Sequence, residues 1–512
     1  MKSASSISTA AITVFALLAP FQLLAQDTHY KVVDLGTLGG PASYQSGFGD
    51  GEQILNDRGI AAAIASTATP DPNAPNCVAA DCFVSHGFKW QKGVVSDLGV
   101  LPGGNNSGVS AINAQGWVVG GSEIGQIDPL TGFLATHAVL WKNGEMIDLG
   151  TLGTGIESNT VYVKNGGQVV GYSTVNTTFD PFGFPATVHP FIWKNGVMRD
   201  LGTLGGPDAG FIAGGTGCKN ENEDLVAGES LLDSVPNPST GSPTQHAFLW
   251  ESGTMRDIPT LGGTYAFAQC ANNRGQVIGQ SNLAGDAGCD GSATDGSCVQ
   301  HAFFWDHGIL SDLGTLGGSF SIAYWLNDAG ETVGGATTPD DALFHATLWR
   351  DGKIRDLGAP AEDCVSVAFA LNSSDQIVGR SFSCDGSILR AVLWDKGSAI
   401  DLNSRTPANS SLQLVEAVDI NDRGEIFGRG LPAGCNNEDQ CGHDFLLIPC
   451  GPEDNRRCED ASGGRAEPDP AAITTRPSTL TQDRIETRAL IARLRARLDH
   501  RNHSRCLGAS RN

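Results

Sequence analysis

The chain has few features that would suit a membrane anchor or a nucleic-acid surface. After residue 25, no apolar run reaches the roughly 18–20 residues that a bilayer-spanning helix needs. Lysine and arginine total 33, whereas aspartate and glutamate total 56, and the formal net charge is -23. Because phosphate contacts depend on Lys and Arg, this deficit argues against a nucleic-acid partner. We therefore expect neither a transmembrane segment nor a nucleic-acid ligand.

The short motifs of several enzyme classes are also missing. The chain contains no His-Glu-x-x-His zinc motif, no Walker-type phosphate loop and no convincing Gly-x-Ser-x-Gly turn with His and Asp partners. It has no Cys-x-x-Cys pair either, which disfavours a zinc site. The sequence therefore predicts no catalytic residue and no cofactor-binding residue from a motif.

The first 25 residues are typical of an export leader. Lys2 precedes an apolar run at residues 10–19, and Ala25 offers a small residue at the cleavage position. The chain also has 13 cysteines, which suits an oxidising compartment. We expect a signal peptide over residues 1–25 and a secreted or periplasmic protein.

Most cysteines occur as near pairs in polar loops, so we predict disulfides rather than metal ligands. The predicted pairs are Cys77 with Cys82, Cys289 with Cys298, Cys364 with Cys384, Cys435 with Cys441, and Cys450 with Cys458.

One loop has the composition of a calcium site. Asp286, Asp290 and Asp295 lie among glycine and serine residues, where carboxylate and carbonyl oxygens can surround a hard cation. These residues are the candidates for metal binding. A polar loop closed by a disulfide is the alternative, and we favour it.

One pattern recurs along the chain. A short apolar strand begins with His and ends with Trp, and seven of the nine tryptophans hold this position at intervals of 44–57 residues. A tight turn such as Asn143-Gly144 leads into a second strand that ends in Asp-Leu-Gly-Thr-Leu-Gly or a variant of it. The clearest copies of the repeated residues are His137, Trp141 and Asp148; His189, Trp193 and Asp200; His246, Trp250 and Asp257; and His301, Trp305 and Asp312.

Each copy continues with a third strand, a turn of the type Asn-x-x-Gly and a fourth strand, as in the turn from Asn272 to Gly275. No pattern with the period of a helix lies between the copies. Four strands at this spacing predict an all-β fold, a β-propeller of four-stranded antiparallel blades, with strands one to four of each copy forming one meander.

The repeat also predicts a ring. Both faces of the first strand are apolar, so each blade has to stack between neighbours. The repeat begins in a second strand at Tyr30, and it ends with a lone first strand at His443. We therefore expect a propeller over residues 26–450, closed by pairing of the N- and C-terminal segments, with eight blades. Seven blades is the alternative if the stretch 218–228, where the turn is blurred, is not a true blade.

The repeated His-Ala-Phe, Asp-Leu-Gly-Thr-Leu-Gly-Gly and Asn-x-x-Gly-x-Val-Val-Gly resemble a bacterial extracellular repeat family that is called HAF after its first three letters. The likeness spans about residues 30–450. It implies an extracellular bacterial protein with propeller-like repeats, and it transfers no catalytic residue. Arg390 departs from the pattern because it takes the place of the leading His, and the glycine-rich segment decays after Asp356 and Asp401.

A residue that recurs once in each blade suits a structural role, so we interpret the repeated His and Asp as hydrogen-bonding partners between strands. The loops between the fourth and first strands differ most, and they are either a recognition surface or mere decoration. They span about residues 67–85, 122–136, 174–188, 230–245 and 281–300. This pattern predicts a non-enzymatic, monomeric binding or scaffold protein that recognises protein or glycan partners. The alternative is a hydrolase or lyase acting on an extracellular polysaccharide or glycoconjugate, because carboxylates that converge from different blades leave no local spacing.

The end of the chain differs in composition from the repeat. Residues 451–480 are polar and proline-containing, which predicts a flexible linker. Residues 481–512 hold eight arginines and three acidic residues, with Ile485, Leu490, Leu494 and Leu498 at helical spacing. We expect a short basic amphipathic helix that either docks on the acidic propeller or an anionic envelope surface, or stays solvated.

Overall fold

The computed structural model describes residues 28–44, 53–74, 77, 79–178, 187–210, 220–237, 243–285 and 299–450. The predicted signal peptide, linker and C-terminal helix lie outside these residues, as do Asp286, Asp290, Asp295, Cys289, Cys298 and Cys458. In the described part of the chain, no helix is long and apolar enough to cross a membrane.

The described residues form 32 strands, three 3-10 turns and one helix of four residues. The first strands are β1 (Tyr30–Asp34), β2 (Gly39–Tyr44), β3 (Ile60–Pro70), β4 (Phe83–Gln91), β5 (Val94–Asp97), β6 (Gly103–Ile112), β7 (Val118–Ile127), β8 (Leu134–Lys142), β9 (Glu145–Asp148), β10 (Ser158–Val163), β11 (Val169–Thr174), β12 (Val188–Lys194), β13 (Val197–Asp200), β14 (Ala209–Gly210), β15 (Leu225–Leu231) and β16 (Gln245–Glu251).

The second half of the chain continues in the same way. Its strands are β17 (Thr254–Ile258), β18 (Gly262–Ala271), β19 (Val277–Leu283), β20 (Gln300–Asp306), β21 (Ile309–Asp312), β22 (Ser321–Leu326), β23 (Thr332–Thr337), β24 (Phe344–Arg350), β25 (Lys353–Asp356), β26 (Val365–Leu371), β27 (Ile377–Phe382), β28 (Leu389–Asp395), β29 (Ser398–Asp401), β30 (Leu412–Ile420), β31 (Ile426–Pro432) and β32 (His443–Pro449). The 3-10 turns are Pro339–Asp341, Pro360–Glu362 and Leu402–Arg405, and the helix α1 is Glu438–Cys441.

The strands assemble into four-stranded antiparallel units, which confirms the all-β prediction. Units 1 to 7 are β2–β5, β6–β9, β10–β13, β14–β17, β18–β21, β22–β25 and β26–β29, and unit 8 contains β30, β31, β32 and β1. A single parallel pair joins units 4 and 5, and another joins units 6 and 7. The stretch that the sequence left doubtful contributes β15, which pairs with β14 and β16 of unit 4.

The unit boundaries differ from the prediction by two strands. The sequence placed strands one to four of one copy in one meander, whereas each unit begins with strand three. In unit 2, β6 and β7 flank the Asn113 turn, and β8 and β9 carry the next His and Asp. The chain then leaves β9 through Gly150, whose φ of +75° turns it away. The Gly150 carbonyl accepts a 2.6 Å hydrogen bond from Ser158 Oγ, at the start of unit 3. The glycine-rich segment is therefore a crossing between units.

Unit 8 is built from both ends of the described chain. Strand β1 pairs antiparallel with β32, from Tyr30 opposite Pro449 to Asp34 opposite Phe445. The Leu35 amide donates a 3.0 Å hydrogen bond to the Asp444 carbonyl beyond the last pair. The N-terminal strand is thus the outer strand of a unit whose other three strands come from the end of the repeat.

Close packing explains the glycine of the Val-Val-Gly strand. Phe303, from the His-Ala-Phe strand of unit 5, is 0% exposed and lies over Gly279 of the neighbouring strand. A Cβ atom on Gly279 would lie 2.6 Å from Phe303 Cζ and 1.9 Å from the carbonyl oxygen of Phe267. Only glycine leaves room for this contact.

The hydrophobic clusters lie between neighbouring units rather than inside them. One cluster joins Val418 and Phe427 of unit 8 to Leu55 and Ala63 of unit 1, and all four side chains are 0–1% exposed. Neighbouring units therefore share their buried apolar faces, as the two-sided apolar strands predict.

The Asn-x-x-Gly turns connect neighbouring units by hydrogen bonds. Asn56 Nδ2 donates to the Asn113 carbonyl at 2.9 Å, and Asn421 Nδ2 donates to the Asn56 carbonyl at 3.0 Å. In unit 3, Lys164 replaces the asparagine, and its Nζ donates to the Leu225 carbonyl at 2.8 Å. Burial lowers the pKa of Lys164 to about 7.

Three predicted disulfides are confirmed. They join Cys77 to Cys82, Cys364 to Cys384, and Cys435 to Cys441. Cys450 is also disulfide-bonded, and its predicted partner lies outside the described residues.

Candidate functional site

The repeated His and Asp meet in the same way in six units. Nδ1 of each His lies 2.7–3.0 Å from a carboxylate oxygen of the Asp eleven residues later, in the pairs His86 with Asp97, His137 with Asp148, His189 with Asp200, His246 with Asp257, His301 with Asp312, and His345 with Asp356. In unit 8, His443 makes this contact with Asp34 at 3.1 Å. Because an ionised carboxylate only accepts, each Nδ1 carries the hydrogen.

The same Asp also holds the crossing segment. Asp148 Oδ1 accepts a 2.8 Å hydrogen bond from the Gly150 amide. The repeated tryptophans are buried between units, and Trp141 Nε1 donates to the Leu98 carbonyl of the preceding unit at 2.9 Å. These residues make nearly the same contacts in each unit, so they provide no asymmetric group for chemistry.

The two ends of the units carry different connections. Antiparallel strands place the variable loops and the glycine-rich crossings at one end, and the Asn-x-x-Gly turns and tight hairpins at the other. We call the first of these the loop end. Two acidic residues at the loop end, Asp128 of unit 2 and Glu157 at the start of unit 3, lie outside the repeated His, Trp and Asp positions and the Asn-x-x-Gly turns.

Asp128 organises the head of the β7–β8 hairpin. Its amide donates to the Phe133 carbonyl at 2.8 Å, and its own carbonyl accepts from the Gly132 amide at 2.8 Å. Its Oδ1 accepts from the Leu130 amide at 2.8 Å, and the residue is 4% exposed. Asp128 is therefore held in one orientation at the edge of the loop.

Glu157 precedes β10, and its main chain is fixed by β11. Its amide donates to Thr174 Oγ1 at 3.0 Å, and its carbonyl accepts from the Thr174 amide at 2.9 Å. Among the described residues, no hydrogen bond reaches its carboxyl group. Burial raises the pKa of Glu157 to about 7, with a further contribution from the negative charge of Asp128, while His137 acts in the opposite direction. The Glu157 carboxyl group therefore keeps its proton close to neutral pH.

Neighbouring units use the position of Glu157 differently. Asn106 takes it in unit 2, where Oδ1 accepts from the Ser85 amide at 2.9 Å. Asp208 takes it in unit 4, where Oδ1 accepts from the Val188 amide at 2.8 Å. These shorter side chains hold the neighbouring backbone, whereas the longer Glu157 makes no such bond. A repeat position that is structural elsewhere thus carries a carboxyl group with a raised pKa in unit 3.

Exposed apolar side chains lie beside the Asp128 turn. Phe133 is 43% exposed and Ile127 is 61% exposed, and both lie next to the turn that Asp128 organises. An exposed ring next to polar groups is a surface on which a sugar ring can stack. Sequence reasoning missed Asp128 and Glu157, because they come from different units. The only local signal was the loss of the Gly-Gly pair before Glu157, where the chain reads Gly-Thr-Gly-Ile-Glu.

The predicted calcium residues, Asp286, Asp290 and Asp295, lie outside the described part of the chain. Within that part, no group of three or more His, Cys, Asp or Glu residues is placed to hold a metal ion.

No protein-family model and no curated protein matches the chain. Among solved structures, it is similar to the β-propeller domain of the trilobed protease from Pyrococcus furiosus, with a TM-score of 0.42, 8% identity, and coverage of 72% of this chain and 99% of that one. It is also similar to the acylaminoacyl peptidase of Pyrococcus horikoshii, with a TM-score of 0.38, 9% identity, and coverage of 79% and 58%. It is also similar to a puromycin-hydrolysing peptidase of Mycobacterium tuberculosis, with a TM-score of 0.35, 10% identity, and coverage of 81% of this chain and 56% of that one. These likenesses concern the fold and transfer no residue or substrate.

These neighbours correct the functional prediction. The sequence favoured a non-enzymatic binding or scaffold protein, whereas the three similar structures named above are peptidases or a domain of one. That prediction is wrong on this finding, and its alternative, a hydrolase or lyase, agrees better with the neighbours. The fold alone does not specify the reaction.

Proposed function

We propose that the protein is an exported hydrolase that cleaves glycosidic bonds of an extracellular polysaccharide or glycoconjugate at the loop end of units 2 and 3. The observation that carries the proposal is the pairing of two unlike carboxyl groups. Glu157 keeps its proton near neutral pH, and Asp128 lies close enough to influence it electrostatically. A carboxyl group that can donate a proton near neutral pH, with a second carboxyl group close to it, is the machinery of glycoside hydrolysis.

Each group has one role in the reaction. Glu157 donates its proton to the glycosidic oxygen while the bond from that oxygen to the anomeric carbon breaks. A water molecule attacks the anomeric carbon, and Asp128 accepts the proton that the water loses. Because only 4% of Asp128 is exposed, a water molecule reaches its carboxylate more readily than a sugar carbon does. The proposal is therefore inversion at the anomeric carbon.

The same surroundings favour a substrate without negative charge. The net charge of the chain is -23, which repels polyanions at a distance. Phe133 and Ile127 offer an apolar surface to the face of a sugar ring. A neutral glycan thus fits this site better than a uronate polymer.

The proposed architecture is an eight-bladed ring with HAF-type repeats, in which each four-stranded unit is one blade. The composite unit 8 supports it, because β1 supplies the outer strand that β30–β32 lack. The hydrogen bond from Asn421 to the Asn56 carbonyl supports it too, because it links the last turn to the first. The loop disulfides support export.

The test of the function is a pair of conservative substitutions with a matched control. Glu157→Gln and Asp128→Asn should each lower the hydrolysis rate of a neutral polysaccharide at least hundredfold, because each removes one proton transfer. Asp71→Asn is the control, since Asp71 organises the equivalent loop of unit 1 by accepting from the Asn73 amide at 2.8 Å. It should leave the rate unchanged. Equal rates in wild type and Glu157→Gln would disprove the proposal, as would retention at the anomeric carbon for the inverting step.

The pH profile provides a second readout. The proton on Glu157 is lost as pH rises through about 7, so kcat/KM should fall above neutral pH. Any residual activity of Glu157→Gln should lack this fall in kcat/KM above neutral pH, whereas Asp71→Asn should show it. A profile that rises through pH 7 would contradict the role of Glu157 as the acid.

A further inference from the structure

The region where the repeat departs most from its pattern contains a groove. It lies at the loop end between units 7 and 8 and has a volume of about 580 Å³. Its walls are the loop before β28, the segment between β29 and β30, and the loop after β31. Its lining includes Ile388, Arg390, Asp401, Asn403, Gln413 and Pro432. This volume is within the roughly 300–1,000 Å³ of small-molecule sites.

Arg390 forms the floor of the groove at the position of the repeated His. Its Nη1 lies 2.5 Å from Asp363 Oδ1, and its Nε lies 3.4 Å from Asp401 Oδ2. Asp363 also accepts a 2.6 Å hydrogen bond from Ser381 Oγ. Two carboxylates therefore surround one guanidinium group, and the floor is rigid without being positively charged. An anionic ligand gains nothing from this arginine.

The rest of the groove combines fixed and accessible polar groups. Asp401 Oδ1 accepts from the amide and the Nδ2 of Asn403, both at 2.9 Å. Ser411 and Gln413 are exposed, and no side-chain hydrogen bond to either is found within the described residues. Their hydroxyl and amide groups are available to a ligand.

Apolar surface lies beside these groups. Ile388 is 43% exposed at one wall, and Pro432 lies at another. The disulfide between Cys435 and Cys441 constrains the loop that carries this second wall. Neutral amide and hydroxyl groups next to apolar side chains suit the hydroxyls and the carbon face of an uncharged sugar.

We propose that this groove is a second glycan-binding site, which takes one or two uncharged hexose-type residues of the polymer. The identity of the polymer rests on the proposed function. The groove holds the glycan through Gln413, Ser411 and Asp401, and it lies in a different pair of units from Glu157 and Asp128. Its role is to keep a long substrate on the enzyme between cleavages.

The test measures binding separately from cleavage. The full-length Glu157→Gln protein is titrated with neutral hexasaccharides of glucose, xylose and N-acetylglucosamine, and with an oligogalacturonate as the acidic probe. At least one neutral hexasaccharide should bind, and the acidic probe should not. Gln413→Ala in the same background should weaken binding at least tenfold. Gln115→Ala, an exposed glutamine on a turn at the other end of unit 2, should leave binding unchanged.

A second variant restores the residue of the repeat. Arg390→His should pair with Asp401 as the other units do but removes the cation beside the buried Asp363, so it should lower the thermal midpoint and weaken neutral glycan binding at least tenfold. The proposal is overturned if no neutral hexasaccharide binds, if only the acidic probe binds, or if Gln413→Ala and Arg390→His bind as tightly as their parent. If the Glu157→Gln protein binds no neutral hexasaccharide while the wild type still cleaves the polymer, only this inference is removed. Cleavage that persists in Glu157→Gln removes only the proposed function.

Discussion

Units 1–6 and the boundary of units 7 and 8 place their charged groups in different surroundings. In units 1–6, the His side chains are 14–20% exposed and their Asp partners are 39–48% exposed. Between units 7 and 8, Arg380 Nη1 lies 2.7 Å from Glu416 Oε1, and these side chains are only 5% and 4% exposed. The repeated pairs thus lie where water screens them, whereas this pair is inside the protein.

The difference in burial indicates which ion pairs can lose one partner with little effect on stability. An ion pair that water screens contributes little to the free energy of unfolding, so substitution of one partner is tolerated, and the chain has such a pair in nearly every unit. A buried pair costs desolvation energy, so it stabilises the protein only while both partners are present. The boundary of units 7 and 8 should therefore be the most sensitive region to substitution of one charged group.

The largest effect is expected from Glu416→Gln. The substitution keeps the shape of the side chain but removes the carboxylate opposite Arg380, and we expect a loss of about 3 kcal/mol in the free energy of unfolding. Urea denaturation monitored by tryptophan fluorescence measures it. Glu145→Gln, at an exposed position of β9, is the matched control and should change stability by less than about 0.5 kcal/mol.

A double substitution tests whether the remaining charge causes this loss of stability. Arg380→Met with Glu416→Leu removes both charges, so it should recover most of the stability that Glu416→Gln loses. Equal losses in Glu416→Gln and Glu145→Gln would show that burial does not distinguish the two regions.

The sequence was sufficient to predict the strands of the repeat but not where a unit begins. The period of the Trp positions is the same wherever a unit starts, so periodicity cannot locate the boundary. The decisive feature is a backbone turn at Gly150, whose φ is +75°, and its hydrogen bond to the next unit. The pairing of the terminal segments was predictable from the repeat. Its N-terminal end has a strand two without strand one, and its C-terminal end has a strand one without strand two.

The contacts of residues that depart from the repeat, such as Arg390 and Glu157, were not predictable from spacing either. In the repeat, the Asp partner follows its His by eleven residues, whereas Asp363 precedes Arg390 and belongs to the previous crossing. Glu157 and Asp128 likewise belong to different units. Contacts across a boundary depend on how units stack, which no local spacing records.

The second prediction concerns pH, and the two regions should respond with opposite sign. Burial raises the pKa of Asp444 in unit 8 to about 7, against the lowering effect of Arg429. Between pH 4 and 7 the folded state holds a proton that the unfolded state has lost, so stability falls as pH rises, by at most about 1.4 kcal/mol per pH unit. The hydrogen bond that His443 donates to Asp34 raises the pKa of His443, and this lowers stability in the same direction as pH rises through that pKa.

In unit 2 the sign is reversed. Burial alone would raise the pKa of Asp148, but hydrogen bonds from His137 and Gly150 lower it overall. Its contribution is present above its usual pKa and is lost as pH falls. Unfolding free energies measured from pH 3 to 8 should become flatter above pH 4 in Asp444→Asn, and flatter below pH 4 in Asp148→Asn. The same change of slope in both variants would remove the contrast between the regions.

The smallest effect is expected from one repeated pair. His301→Gln removes the 2.9 Å contact with Asp312, which is 39% exposed, and should cost about 0.5–1 kcal/mol. His137→Gln in unit 2 should cost a similar amount. Because the two pairs share no partner, their losses should add within about 0.3–0.5 kcal/mol in the double variant. Arg380→Met and Glu416→Leu should instead be strongly non-additive, since each alone removes one partner of the buried ion pair. The coupling energy between His137 and His301 should therefore be far smaller than that between Arg380 and Glu416. Equal coupling energies would mean that the units respond as one body. The contrast between screened and buried contacts would then not explain the stability of this fold.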